Sequence, residues 1–295
     1  MSSATGVVTE SARGRLLAGA PVEERMVVAA GVDTAVLEGG AGQPLLLLHG
    51  PGESAVVWLP VLGDLVRAHR VVAADLPGHG ASAAPAYAMH QDWIDSWLDD
   101  LIAATCATPP ALVGRVVGGA IAAYFAAAHP DRLTHLVLVD TMGFEAFQPD
   151  PRFGLAMHRF LAEPSISTYE RFMDFCAFDL DTARDRFGRR WTPFVQYAVE
   201  LASDPRVQSA TGSLIGLYGG SPIPAGTLAG IGVPTTLIWG RHDAATSLSV
   251  AEEAAARYGW PLRVIDGAGD EVTLDRPAEF VDTLYSVLGQ GEPRS

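Results

Sequence analysis

The sequence predicts an α/β protein: a mostly parallel sheet with helices on both faces, interrupted by a separate helical insert. Three observations predict it. Short aliphatic or β-branched runs alternate with helical patterns along most of the chain. One of these runs, Pro44–His49 (PLLLLH), is continuously apolar, as a strand covered on both faces is. From about residue 144 to residue 225 the alternation stops, and helical periodicity continues without a strong strand.

In chain order, residues 1–24 are small, polar and aperiodic and are expected to form a loose arm. Met26–Ala29 and Thr34–Glu38 read as a hairpin, and Pro44–His49 as a central strand. Helices near Ala55–Arg67, Gln91–Ala107 and Val117–His129 alternate with strands at Val71–Ala74, Ala111–Val113 and Leu136–Val139. Beyond the insert come strands at Thr235–Trp239 and Leu262–Ile265 and helices at Val250–Tyr258 and Pro277–Leu288. The expected division is an arm at 1–24, a core at 25–143 and 226–290, and a helical cap at 144–225. In the cap, Phe172/Cys176 and Phe187/Trp191 are spaced i, i+4, and Tyr169/Phe172 i, i+3. The cap holds 13 of the 24 aromatic residues. Either they form the cap's own small core, or some of them face a pocket for a bulky, flat ligand.

Composition narrows the function. The net charge is −14, which argues against nucleic acid and anionic membrane surfaces as partners. All 20 basic residues are Arg, so Schiff-base chemistry and a phosphate-loop lysine are excluded. The two cysteines, Cys106 and Cys176, provide no disulfide framework, and the histidines show no metal-ligand spacing. No apolar run reaches the roughly 18 residues of a membrane span, and the first 24 residues have no apolar stretch of signal type. A cytoplasmic protein without metal or cofactor is expected.

Six short motifs carry the remaining information. They are His49-Gly50-Pro51-Gly52, Asp75-Leu76-Pro77-Gly78-His79-Gly80, Gly114-Arg115-Val116-Val117-Gly118-Gly119, Val139-Asp140, Gly240-Arg241-His242-Asp243 and Gly267-Ala268-Gly269-Asp270. In order and spacing the chain resembles the α/β-hydrolase superfamily from about residue 25 to 288, with a helical cap after the sixth strand. The resemblance implies an eight-stranded, mostly parallel sheet. It also implies a nucleophile at the tip of a strand-to-helix elbow, an acid after the seventh strand and a histidine after the eighth. Carried over by position, the acid is Asp243, the elbow tip is Val116 and the histidine position is Asp270.

That departure has chemical consequences. Valine has no lone pair to attack with, and without the imidazole no serine or water is activated in the ordinary way. An elbow tip also takes positive φ, which a β-branched residue resists, so either strain at Val116 or a relaxed elbow is expected. The anion site is expected to consist of the Val117 N–H, Gly52 and Arg115, since Pro51 lacks an N–H. Arg115 could instead balance a buried carboxylate. Asp270 and Asp243 are the candidate acid and base, sharing a proton over an apolar floor. Val116, His49, Pro51, Asp140, Phe144 and Trp191 are the expected pocket residues, with Asp140 a substitute acid.

The expected activity is a cofactor-independent, non-hydrolytic lyase, isomerase or cyclase step on a bulky, largely apolar metabolite, of the kind met in bacterial secondary metabolism. A catalytically inactive ligand-binding protein and a hydrolase using carboxylate-activated water are the alternatives. The partner is a small molecule, with a homodimer possible.

Overall fold

The computed structural model describes residues 11–289. Eight strands form one sheet: β1 (Glu23–Ala29), β2 (Val32–Gly39), β3 (Gln43–Leu48), β4 (His69–Ala74), β5 (Ala111–Arg115), β6 (His135–Val139), β7 (Thr235–Gly240) and β8 (Leu262–Ile265). Their spatial order is β1-β2-β4-β3-β5-β6-β7-β8. The β1–β2 hairpin is antiparallel and joins β4 antiparallel, while β3 to β8 all run parallel. This is the mostly parallel eight-stranded sheet expected, and its helical insert lies between β6 and β7.

The pleat explains the continuous apolar run. Leu45 and Leu47 enter one hydrophobic core with Val113, Val137 and Val139. Leu46 and Leu48 enter the core on the opposite face with Leu112, Leu136 and Leu138. Alternate side chains go to opposite faces and both faces are covered, so every position must be apolar.

The helices are α1 (Ala12–Leu17), α2 (Leu59–Leu65), α3 (Gln91–Thr105) and α4 (Val117–Ala128) before the insert. The insert contains α5 (Pro151–Ala162), α6 (Ile166–Cys176), α7 (Leu180–Phe187), α8 (Trp191–Ser203), α9 (Pro205–Tyr218) and the short α10 (Ala225–Ala229). After it come α11 (Leu248–Tyr258), α12 (Val272–Asp275) and α13 (Pro277–Val287). Side-chain oxygens cap several cap helices: Asp150 starts α5, Ser165 α6, Asp179 α7 and Asp204 α9. Among the described residues, no helix is long and apolar enough to cross a membrane.

The arm differs from expectation. Residues 1–10 lie outside the described residues, but Ala12–Leu17 is a helix rather than loose chain, with Leu16 fully buried in the core that also holds Val195 and Tyr197 of α8. Composition concealed this because two of its six residues are arginines that the fold employs. Arg13 Nη2 lies 2.9 Å from Asp75 Oδ2, Nη1 donates to the Tyr197 hydroxyl at 3.0 Å, and Nε donates to Glu24. The same guanidinium thus ties arm, core and cap together. Arg13→Ala would leave Asp75, fully buried, without its counter-charge. We expect a loss of about 3 kcal/mol, read as a lower urea midpoint at unchanged m-value.

Candidate active site

The parallel strands all deliver their C-terminal loops to one edge of the sheet, where open α/β sheets bind ligands. The loop after β3 brings Gly50 to Ser54. The end of β5 brings Arg115 and Val116. Asp140, Asp243 and Asp270 follow β6, β7 and β8. Beneath the cap lies a cavity of about 450 Å³, bordered by Pro51, Gly52, Glu53, Arg115, Val116, Asp270 and Glu271 on the core side.

The elbow keeps its strained form. Val116 has φ 47° and ψ −114° immediately before α4. That conformation costs a β-branched residue about 1–3 kcal/mol, and the surroundings must hold it. They do so by close approach. A Cβ at Gly118 would stand 2.6 Å from the carbonyl oxygen of His49, and one at Gly114 would overlap the backbone of Gly118. The geometry of a nucleophile elbow is therefore retained around an inert side chain.

Beside Val116 stands Glu53, a residue that sequence reasoning missed. Its Oε2 accepts the Gly50 N–H at 2.7 Å, and Oε1 lies 3.5 Å from Arg115 Nη1. A Cβ on Gly50 would meet Glu53 Oε2 at 2.8 Å and Val116 Cβ at 3.5 Å, so the bare Gly50 backbone makes room for this carboxyl next to the elbow. Burial pushes the Glu53 carboxyl up to about 7, against the pull of Arg115 and with a further push from Glu271. The available signal was an acid directly following the His-Gly-Pro-Gly loop, with an arginine at the elbow.

Arg115 is 2 % exposed. Its Nη1 donates to Glu271 Oε2 at 3.0 Å, Nη2 lies 2.9 Å from Glu271 Oε1, and Nη2 also donates to the Asp270 carbonyl at 3.1 Å. This forked ion pair corrects the assignment of Arg115 to the anion site: its charge is already balanced, and only Nε lacks a hydrogen-bond partner. Glu271, the partner, was likewise overlooked as a site residue.

Asp270 borders the cavity, is 7 % exposed, and its Oδ1 is buried with no hydrogen-bond partner among the described residues. Burial raises its carboxyl well above the usual carboxylate range, with Asp243 and Glu271 raising it further. Burial thus favours its protonated form. Asp243 does not border the cavity. Its Oδ1 accepts the Ala245 and Thr246 N–H groups at 2.7 and 2.8 Å, its Oδ2 is buried without a partner, and burial pushes it up to about 7. Asp243 pushes the Asp270 carboxyl up, while the shift of Asp243 comes from its own burial against two backbone N–H groups and Arg115.

Other expected pocket residues are placed elsewhere. His49 is buried beneath the loops, taking the Leu76 N–H on Nε2 at 2.9 Å and donating from Nδ1 to the Gly50 carbonyl at 2.7 Å. Burial holds it near 3, so it is a neutral brace. His79 braces in the same way, with Nδ1 on the Pro77 carbonyl and Nε2 against the Thr211 hydroxyl. Asp140 turns from the cavity to accept the Gly240 N–H at 2.8 Å. Phe144 packs against Trp239 and Trp260 in the opposite core, and Trp191 packs on Phe194 beneath the Arg184 guanidinium. Each was chosen from its position in the sequence, and side-chain direction overruled it. Pro51, Gly52 and Val116 do border the cavity, whereas Val117, expected to offer its N–H there, is not among the residues that line it. Of the 13 cap aromatics, seven border the cavity, among them Phe153, Phe160, Tyr169, Phe172 and Phe194, so the cap aromatics serve both its core and the pocket.

Comparison with known proteins agrees with this geometry. Residues 43–277 match the family model described as alpha/beta hydrolase fold. The chain is 33% identical over 287 residues to a 2-hydroxymuconate semialdehyde hydrolase of Pseudomonas sp. (strain CF600), covering 91% of this chain and 94% of that protein. It is 28% identical over 273 residues to a 2-hydroxy-6-oxo-6-(2'-aminophenyl)hexa-2,4-dienoic acid hydrolase of Metapseudomonas resinovorans, covering 90% and 91%. The solved 2-hydroxy-6-oxo-6-phenylhexa-2,4-dienoate hydrolase from Rhodococcus sp. strain RHA1 superposes with a TM-score of 0.78 at 22% identity, covering 91% of this chain and 99% of that one, a likeness of fold. These relatives overturn the expectation of a lyase, isomerase or cyclase: both are similar over nearly the whole chain and both are hydrolases. The expectation failed because it inferred a change of reaction from the loss of two side chains, when an acidic floor can also serve water.

Proposed function

The chain belongs to the α/β-hydrolase superfamily, in the capped branch of meta-cleavage-product hydrolases and esterases, and from that premise we propose that it hydrolyses an acyl bond of a bulky, largely apolar aromatic small molecule using carboxylate-activated water. The observation that carries this reading is Glu53: a carboxyl on the cavity wall beside the elbow tip, pushed up to about 7. A base with that affinity for protons is half ionised near neutral pH, where proton abstraction from water is most effective.

In this reading the substrate's apolar body lies against the cap aromatics and its carbonyl meets the floor. Asp270, neutral, donates a hydrogen bond to the carbonyl oxygen. Ionised Glu53 takes a proton from water as the water oxygen bonds to the carbonyl carbon. The tetrahedral adduct then breaks the acyl bond, and the proton held by Glu53 goes to the departing group. Val116 forms no covalent intermediate. The Arg115–Glu271 pair fixes the floor, since Arg115 also holds the Asp270 carbonyl. Asp243, behind Asp270, keeps the Asp270 proton in place by like-charge repulsion.

The test is turnover of neutral aryl esters and aryl ketones by highly purified protein. Asp270→Ala removes the hydrogen bond to the carbonyl oxygen and to the oxyanion it becomes. We expect kcat to fall by at least about 10²-fold with KM little changed. Wild-type protein that turns over neither substrate class would overturn the hydrolytic reading.

A further inference from the structure

We infer that this cavity takes a flat aromatic ligand whose end at Glu53 and Asp270 is uncharged, and that it rejects a ligand carrying a carboxylate there. The inference rests on the site being the substrate pocket proposed above and names its charge preference. Among the described residues, three acids border the cavity, Glu53, Asp270 and Glu271, against one cation, Arg115. That cation is forked onto both oxygens of Glu271 and lies beside Glu53 as well. An incoming carboxylate therefore finds no unmatched positive charge. It finds instead Asp270, buried on the cavity wall, with Oδ1 unpartnered and with burial favouring its protonated form. A carbonyl or amide oxygen accepts from that group without adding charge. The rest of the wall, with its Phe, Met, Leu and Val side chains, fits a flat apolar body.

The acid floor sets the pH dependence. Glu53 faces Arg115 and Glu271, and Asp270 faces Asp243, Glu271, Arg115 and Asp140. Tyr169 and Cys176 of α6 also face the floor, and burial raises both well above their ordinary values, so neither contributes charge. Glu53 is the cavity-wall group raised to about 7, and Asp243, raised to about 7 as well, lies off the wall. Above pH 7 Glu53 is ionised and repels an anion, and below pH 7 it is neutral and repels less. A carboxylate ligand should bind with uptake of a proton, and a neutral ligand without one.

Calorimetric titration of the full chain with 1-naphthylacetamide and 1-naphthylacetate at pH 6, 7 and 8 tests this. The amide should bind with the same affinity at all three values. The carboxylate should bind at least about tenfold more weakly than the amide at pH 8, gain affinity toward pH 6, and show a heat that depends on the buffer's own protonation. Glu53→Gln should strengthen 1-naphthylacetate several-fold at pH 8 and leave 1-naphthylacetamide within twofold. If that variant does not fold, the wild-type pH series decides alone. Equal affinity of the two probes at pH 8, or binding of neither, overturns the inference. Binding is read without turnover, so the two readings fail separately. Loss of selectivity with ester hydrolysis intact overturns only the charge preference, and selectivity without hydrolysis overturns only the proposed reaction.

Discussion

Glu53→Gln should lower kcat/KM for a neutral aryl ester by about 10²–10⁴-fold, the usual contribution of a positioned general base. The amide of glutamine fills the same space beside Gly50 and Val116 but cannot accept a proton. The sign of the pH dependence follows from burial. Glu53 is raised to about 7, so its basic form is scarce at pH 5.5 and dominant at pH 8. Wild-type kcat/KM should therefore rise through a midpoint near pH 7, and the variant should lose that limb. Folding should survive the change, since Glu271 continues to balance Arg115. Glu53→Asp, with a shorter reach, should recover part of the rate and keep the limb. A Glu53→Gln protein with the wild-type rate and the wild-type profile would remove Glu53 from the reaction.

The second large effect concerns covalent chemistry. Wild-type protein should take up no fluorophosphonate at residue 116, because valine presents only methyl groups to the probe. Val116→Ser alone should also stay unlabelled. His49 and His79 are committed to backbone and Thr211 partners, and burial holds both near 3. The double variant Val116→Ser, Asp270→His should be labelled to stoichiometry. It supplies the hydroxyl at a backbone already at φ 47° and an imidazole after β8, with Asp243 Oδ2 unpartnered to orient it. Intact-mass measurement gives the adduct directly. Labelling of the wild-type chain at another serine, with loss of activity, would contradict a water-based mechanism. No labelling of a folded double variant would show that the floor no longer accommodates a triad.

The acidic floor shows where sequence reading stops. Asp270 and Asp243 were found by their order along the chain, because a parallel sheet delivers successive loops to the same edge. Glu53 and Glu271 were not found, although each adjoins a motif. Their importance comes from Arg115, which reaches across from β5 to the loops after β3 and β8. Such a pairing spans 156 residues of sequence between Arg115 and Glu271 and has no periodicity to betray it. The misplaced pocket residues failed for the complementary reason. His49, Asp140, Phe144 and Trp191 have positions close to the cavity, but backbone hydrogen bonds or aromatic neighbours turn their side chains elsewhere.

What the amino-acid sequence determined by itself was the layered α/β scaffold, the insertion point of the cap, the glycines of the elbow and the absence of a reactive atom at its tip. These are local or periodic properties: a run of leucines buried on both faces, a glycine where backbones touch, a valine where an oxygen would be needed. Only the tertiary structure decided which carboxyls border the cavity, which one balances Arg115 and which are left to hold a proton. Those outcomes depend on burial and on distances between loops far apart in the chain, and a carboxyl's charge is set by its surroundings rather than by its identity.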